Sequence, residues 1–135
     1  MMLSELVSTT DEVTATASRL AKIDALASLL ERAEPDEILP LTGLLLASPR
    51  QGRLGVGWRT LTGLEVEHVP EAQLTIADVD RTLDSLAAAS GTGSAAARQE
   101  LLSDLAARAT AAEWDLLTRA MLGELRTGAL SGVLV

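Results

Sequence analysis

The sequence predicts an all-α fold, a compact bundle of about six to eight short helices joined by glycine-containing turns. Hydrophobic residues make up 47% of the 135 residues and aromatic residues only 1%, so aliphatic side chains must fill the core. That composition favours packed helices over sheets, where β-branched and aromatic residues are enriched. Apolar residues also recur at helical spacing, and glycine clusters separate the helical segments. Together these patterns predict one helical domain.

The first half of the chain contains three predicted helical segments. The Thr-Asp-Glu sequence at 10–12 predicts a helix start, and apolar residues at helical spacing continue through Arg32. This stretch is either one long helix or two helices with a break near Ser18. Pro35 suits the first turn of a following helix that ends near Pro49. Residues 50–57 predict a glycine-rich loop, residues 58–64 a short helix, and a short strand at 66–69 remains an alternative.

Capping patterns define the helices of the second half. Thr75 and Asp78 form the pattern of a capping box, which predicts a helix to about residue 89. After a break at 90–94, Ser94 is expected to cap a helix through residue 107. Thr110 and Glu113 predict a second capping box, and Gly128 interrupts the chain after that helix. Because an apolar segment then ends without a cap, we expect a domain that is cut off at its C-terminal end. The predicted inner face of the last helix consists of Trp114, Leu117, Met121 and Leu125.

The residue types argue against an enzyme active site in this chain. There is no cysteine and His68 is the only histidine, so we expect neither a metal cluster nor a thiolate nucleophile, and a lone loop histidine is expected to be solvated. Carboxylate pairs at 36–37 and 78–80 fall in first turns of helices, where acids stabilise the helix dipole. No signal peptide or membrane-spanning run is present. We therefore expect a cytoplasmic protein with no catalytic or metal-binding residues.

The charge pattern is ambiguous about nucleic acid. The formal net charge is −8, whereas nucleic-acid binders usually carry a basic surface. However, the stretch from Ile38 to Leu64 contains no acidic residue, whereas it contains three arginines, Arg50, Arg53 and Arg59. Small residues, a helix N-terminus and an arginine also occur together at 52–57, 90–98 and 122–130. Such elements suit contacts to phosphates and the minor groove, although the scarcity of aromatic residues does not favour a stacking platform for single strands.

Residues 108–130 resemble the N-terminal domain of bacterial ATP-dependent DNA ligases. In that family an acidic and aromatic helix leads into a Gly-x-Leu-Arg-x-Gly turn, matched here by Gly123, Leu125, Arg126 and Gly128. Residues 54–57, 18–30 and 90–98 resemble that family's second glycine turn, its first long helix and the loop before a later helix. The stretch 22–25, Lys-Ile-Asp-Ala, lacks the glycine of the Lys-x-Asp-Gly motif that accepts AMP in these ligases, and we read Lys22, the only lysine, as a surface residue.

The resemblance implies a non-catalytic module that holds nicked duplex DNA during nick sealing in replication, repair and recombination. It implies nicked double-stranded DNA and the adenylation domain of the same polypeptide as partners. ATP and Mg²⁺ are expected for the parent ligase, whose adenylation and oligonucleotide-binding domains are absent here, and the location is expected to be nucleoid-associated. The alternative is an acidic helical protein-interaction module without DNA binding. The implied DNA-binding residues are Arg50, Arg53, Gly55, Gly57, Gly91, Gly93, Ser94, Arg98, Gly123, Arg126, Thr127 and Gly128.

Overall fold

A computed structural model describes residues 1–52 and 54–124, and this part of the chain is helical. Its only strand-like pairing is an isolated bridge between Met2 and Thr75, so the all-α class is confirmed and the alternative of a strand at 66–69 is wrong. The helices are α1 (Leu3–Ala15), α2 (Arg19–Arg32), a 3-10 turn (Pro35–Glu37), α3 (Ile38–Leu45), α4 (Trp58–Thr62), α5 (Ile76–Ala88), α6 (Ser94–Arg108) and α7 (Ala111–Leu122).

Most of the predicted helix starts are confirmed. Ser18 caps α2 by accepting a hydrogen bond from the amide of Ala21 at 3.2 Å, so the break near Ser18 is real. Both predicted capping boxes are present, at the first turns of α5 and α7. In each box the threonine hydroxyl and the acid three residues later accept each other's backbone amide hydrogen bonds. These starts depend on residues three positions apart, which is why the sequence alone predicts them.

The start of the first helix was predicted wrongly. The helix begins at Leu3, so the Thr-Asp-Glu stretch at 10–12 lies inside α1. Glu5 takes the role of the first-turn acid, because its carboxylate accepts a hydrogen bond from the amide of Met2 at 3.0 Å. The hydroxyl of Thr10 donates to the carbonyl of Val7 at 2.9 Å and is thereby satisfied within the helix. The long N-terminal segment is therefore two helices of similar length.

The core is built from leucine, as the composition predicts. Helix α1 packs against α2, α3 and α7, and α3 packs against α1, α5 and α7. Helix α5 packs against α3 and α6. Each helix contributes one buried apolar stripe, and the largest fully buried side chains are Leu3, Leu6, Leu26, Leu29, Leu41, Leu74, Ile76, Leu86, Leu102, Leu105 and Leu117. None of the described helices is long and apolar enough to cross a membrane.

One ion pair is buried at the N-terminal end of the bundle. The α-ammonium group of Met1 donates to the carboxylate of Glu37 at 2.6 Å, and the side chains are 1% and 9% exposed. The same carboxylate accepts the backbone amide of Glu34 at 2.7 Å. The hydrogen bond to Glu37 raises the pKa of the α-ammonium group, and the hydrogen bond from that ammonium group lowers the pKa of Glu37. Glu37 therefore stabilises the fold through a buried charge pair as well as through the helix start that the sequence predicts.

The irregular segment between α4 and α5 packs against the end of α6. The amide of Val69 donates to the carbonyl of Ala109 at 3.1 Å, and Nδ1 of His68 lies 2.8 Å from the carbonyl oxygen of Ala106. The imidazole ring also lies 6.3 Å from the indole of Trp114, between ring centroids. The expectation of a simply solvated histidine is therefore wrong, because His68 fastens this segment to α6.

Candidate nucleic-acid interface

The loop between α3 and α4 is folded by two close backbone approaches. The amide of Ser48 donates to the carbonyl of Gly43 at 2.8 Å, and the amide of Gly52 donates to the carbonyl of Pro49 at 2.9 Å. A Cβ atom on Gly43 would lie 2.9 Å from the carbonyl oxygen of Ser48, so this helix position requires glycine. Beyond the turn, Leu54 is buried and Gly55 has a φ of +69°. The described residues of the predicted glycine loop, 50–52 and 54–57, are therefore attached to the core through Leu54.

Arg98 joins this loop to the loop that precedes α6. Its Nη2 donates to the carbonyl of Ala89 at 2.6 Å, and its Nη1 donates to the hydroxyl of Ser94 at 3.3 Å. A Cβ atom on Gly55 would lie 3.1 Å from both Cζ and Nε of Arg98, so the guanidinium group lies directly against the Gly55 backbone. Two of the three predicted elements, 52–57 and 90–98, thus meet at one arginine.

The start of α6 is formed by glycines, in contrast to the capping boxes of α5 and α7. Gly91 and Gly93 have φ values of +81° and +83°, and Gly93 is the N-cap without a side-chain hydrogen bond to the helix. The expectation that Ser94 caps this helix is therefore wrong: Ser94 is its first residue, and its hydroxyl accepts from Arg98 instead. In the first turn, the amides of Ser94 and Ala97 already donate to the carbonyls of Gly91 and Gly93 at 3.2 and 3.1 Å, so those of Ala95 and Ala96 are the candidates to bind an anion.

The third predicted element begins beside the start of the loop between α3 and α4. Gly123 ends α7 in the left-handed conformation with a φ of +77°, and its amide donates to the carbonyl of Ala120 at 3.3 Å. A Cβ atom on Gly123 would lie 3.8 Å from the carbonyl oxygen of Ala47, at the start of the loop that leads to α4. The predicted DNA-binding residues Arg53, Arg126, Thr127 and Gly128 lie outside the described residues.

Arg50 faces an acidic side of the molecule. Its Nη2 donates to Asp80 at 2.7 Å and to Asp84 at 2.8 Å, and its Nε donates to Asp80 at 2.9 Å. Gln51 donates to the carboxylate of Asp80 at 2.7 Å and reinforces this attachment of the loop to α5. The hydrogen bond to Asp80 is the main reason why the pKa of Arg50 is raised. A DNA contact by Arg50 remains a prediction, and it would compete with these two carboxylates.

Most arginines of the described part pair with carboxylates of the same chain. Two exceptions lie at or beside the loops at 52–57 and 90–98. Arg98 donates to a carbonyl and a hydroxyl oxygen, and Arg59 has no side-chain partner among the described residues. Arg19 and Lys22 on α2 also have no side-chain partner in that part of the chain. The carboxylate-paired arginines are Arg32, Arg50, Arg81, Arg108 and Arg119.

Trp58 is the residue that the sequence analysis overlooked at this site. It follows Gly57, begins α4 and is 63% exposed, although it is one of two aromatic residues in the chain. Arg59 follows directly, within the stretch 38–64 that contains no acid. The sequence signal for this residue is a tryptophan followed by an arginine, directly after a glycine loop and in a stretch without acids. The described residues contain no group of side chains suited to hold a metal ion.

Comparison with known proteins identifies the family. Residues 63–135, more than half of the chain, match the family model described as DNA ligase N terminus. The chain belongs to this family. The match includes α5, α6 and α7 and continues through residues 123–128, and it confirms the resemblance found in the sequence.

Bacterial relatives extend the similarity over nearly the whole of this chain. The chain is 54% identical over 134 residues to a protein named probable DNA ligase from Pseudarthrobacter chlorophenolicus, which covers 99% of this chain. It is 48% identical over 135 residues to a probable DNA ligase from Saccharopolyspora erythraea and 48% identical over 137 residues to one from Anaeromyxobacter. The chain spans 26% of the length of each of these relatives. The similarity therefore includes the loop at 50–57, which precedes the family-model match.

Proposed function

We propose that this ligase domain is the non-catalytic DNA-binding module of an ATP-dependent DNA ligase. In this proposal it grips nicked duplex DNA through backbone and minor-groove contacts during nick sealing in replication, repair and recombination. ATP and Mg²⁺ act on the adenylation domain of the same polypeptide, because the only lysine here, Lys22, stands in a stretch that lacks the Lys-x-Asp-Gly glycine. A cytoplasmic, nucleoid-associated location follows from chromosomal DNA as the substrate.

The observation that carries the proposal is the meeting of two glycine loops at Arg98. Gly55 lies against the guanidinium group, and Ser94 accepts from it at the uncapped start of α6. Glycine allows backbone amides to approach a phosphate closely, and a helix N-terminus favours an anion. Neither loop contains a carboxylate that would repel DNA: residues 50–57 and 90–98 are free of Asp and Glu. The cluster therefore suits the backbone of a duplex.

The acidic net charge is compatible with this proposal because the charges are unevenly distributed. Asp80 and Asp84 already neutralise Arg50, and other acids neutralise arginines on α2, α5, α6 and α7. Arg59 and Arg98 lie at or beside the loops at 52–57 and 90–98 and have no carboxylate partner among the described residues. They are therefore the positive charges available to phosphates. We therefore expect few phosphate contacts and a weak, sequence-independent affinity.

Binding to a nicked duplex across a salt series tests the proposal. We expect log Kd to rise with log salt concentration, with a slope of about 0.9 per phosphate contact. Arg59→Ala should weaken binding and lower the slope by about one, and Arg126→Glu tests the turn at 123–128 by charge reversal. Arg32→Ala is the matched control, since it removes one charge from an arginine paired with Glu5 on α1 and should bind like the parent chain.

The same experiment distinguishes the protein-interaction alternative. If the chain binds no nicked duplex at ~50 mM salt, where electrostatic binding is strong, alone or joined to the remaining ligase domains, the DNA-binding proposal is wrong. Equal loss of affinity in the Arg59→Ala and Arg32→Ala variants would instead show that net charge, and not this surface, determines binding.

A further inference from the structure

Trp58 is presented to solvent by an anchored turn. The buried side chains Leu54 and Leu61 hold the chain on either side of it. The amide of Leu61 donates to the carbonyl of Gly57 at 3.2 Å, and the hydroxyl of Thr62 donates to the carbonyl of Trp58 at 2.9 Å. The backbone of α4 is therefore fixed, while 63% of the Trp58 side chain remains in water. Burial of a tryptophan is strongly favourable, so an indole that an anchored turn holds in water is available for contact with a partner.

The surrounding charges favour DNA over another protein surface. Among the other large exposed apolar side chains, Leu39 follows the acidic turn at 34–37. Leu20 and Ile23 lie on α2 beside Asp24, and also beside Arg19 and Lys22. Trp58 differs from these residues because the loop that meets Arg98 precedes it and the stretch around it contains no acid. Arg59, which follows it, pairs with no side chain of the described residues. A positively charged apolar surface of this kind complements the sugars and phosphates at the edge of a duplex.

We propose that Trp58 is an apolar wedge that packs into the minor groove at the break, while Arg59 holds a neighbouring phosphate. This inference rests on the proposed function and adds a specificity-determining residue to it. Apolar side chains inserted from the minor groove separate stacked base pairs, which costs free energy at an intact step. At a nick the backbone of one strand is already interrupted, so the same insertion costs less. Trp58 thereby makes the domain prefer nicked duplex over intact duplex.

Intrinsic fluorescence tests the position of the indole directly. Trp114→Phe leaves Trp58 as the only fluorophore in the chain. We expect saturating nicked duplex to quench Trp58 emission and to protect it from a soluble quencher such as acrylamide. If the DNA complex forms and the accessibility of Trp58 to acrylamide is unchanged, the indole does not contact DNA, and a surface in the rest of the polypeptide becomes its partner instead.

Affinity measurements on the full chain, with Trp114 present, test the specificity. Trp58→Ala should weaken binding to nicked duplex about tenfold, within the range measured for lost aromatic–base contacts, and should weaken binding to intact duplex less. Trp58→Phe should restore part of the preference. Leu39→Ala, another exposed apolar side chain, is the matched control and should bind like the parent.

The outcomes separate this inference from the proposed function. If the parent chain binds nicked DNA and Arg59→Ala weakens it, but Trp58→Ala keeps the parent's affinity and nick preference, the wedge is wrong and the DNA-binding function stands. An equal loss on nicked and intact duplex also contradicts the wedge. If the parent chain binds no duplex at all, both proposals fail. Thermal unfolding of each variant verifies that the folded domain is being compared.

Discussion

Replacing Gly55 by alanine tests whether Arg98 really joins the two glycine loops. The substitution has two separate costs. An L-residue at a φ of +69° costs roughly 1–2 kcal/mol of conformational free energy. The new Cβ atom would also lie 3.1 Å from Cζ of Arg98, whose Nη2 is held by the carbonyl of Ala89 at 2.6 Å. Moving the guanidinium group weakens that hydrogen bond and adds about 1 kcal/mol.

The total loss for Gly55→Ala is therefore about 2–3 kcal/mol. Urea unfolding gives the free energy directly, and for a domain of this size the midpoint of thermal unfolding should fall by roughly 10 °C. Gly52→Ala is the matched control. Gly52 has a φ of +77°, but a Cβ atom there would meet nothing within 4 Å among the described residues, so only the conformational cost applies.

A double-mutant cycle isolates the contact with the guanidinium group. In an Arg98→Ala background, Gly55→Ala should cost no more than Gly52→Ala, because the obstructing side chain is gone. Gly55→Ala should also weaken binding to nicked duplex, since it displaces the arginine at which the loops meet. If the Gly55 and Gly52 variants are equally destabilised in the parent chain, the contact between Gly55 and the Arg98 guanidinium group is wrong and the two loops are structurally independent.

Three further predictions concern the support of this surface. Gly43→Ala should lower the free energy of unfolding by about 1–3 kcal/mol, as for other overpacked sites, because the new Cβ atom would lie 2.9 Å from the carbonyl oxygen of Ser48. Alanine is the better helix former, so a variant that is more stable in urea unfolding would contradict this close approach. Arg50→Ala should lower the free energy of unfolding only slightly, because ion pairs at the surface are screened by water and salt, and it should affect DNA affinity less than Arg59→Ala. The reverse order of affinities would show that Arg50 leaves its aspartates to bind DNA. Glu37→Gln should flatten the pH dependence of stability. Because the pKa of Glu37 is lowered, its contribution to stability is present above its ordinary pKa of 4.5 and is lost as the pH falls through its pKa in the folded protein. Because the pKa of the α-ammonium group is raised, its contribution to stability is full below pH 8.0 and is lost as the pH rises through its pKa in the folded protein. If the loss of stability in acid and in alkali is unchanged in the variant, this pair is not its source.

The parts of the fold that the sequence predicts correctly are those set by short-range chemistry. The capping boxes at Thr75 and Thr110 require only a threonine and an acid three residues apart. The sequence therefore predicts these helix starts without knowledge of how the helices pack. The start of α1 depends on a longer-range fact. Leu3 and Leu6 are completely buried. Their burial in the core favours a helix that begins at Leu3, seven residues before the acidic stretch at 10–12 where local signals place its start.

The candidate site was predictable in its parts but not in its assembly. The glycines and arginines of 50–57 and 90–98 stand out in the sequence, yet nothing local indicates that Gly55 would lie against Arg98 or that Ser94 would serve this arginine instead of capping α6. The partner of Arg50 was equally hidden, since Asp80 is 30 positions away along the chain. Such pairings depend on how α5 and α6 pack, which sequence periodicity does not specify.

The same pairings explain why net charge is a poor guide to the function of this domain. A formal charge of −8 argues against DNA only if the charges act as one field over the whole surface. At physiological salt, exposed charges more than about 8 Å apart are largely screened from each other, so a phosphate responds to the charges immediately around it. Along the chain, Trp58 is followed by Arg59 within a stretch without acids from residue 38 to 64, and the acids of α5 are already paired with Arg50 and Arg81. An acidic domain can therefore present a local surface that attracts DNA, and under the proposed function the surplus acids of this domain would confine the contact to that surface.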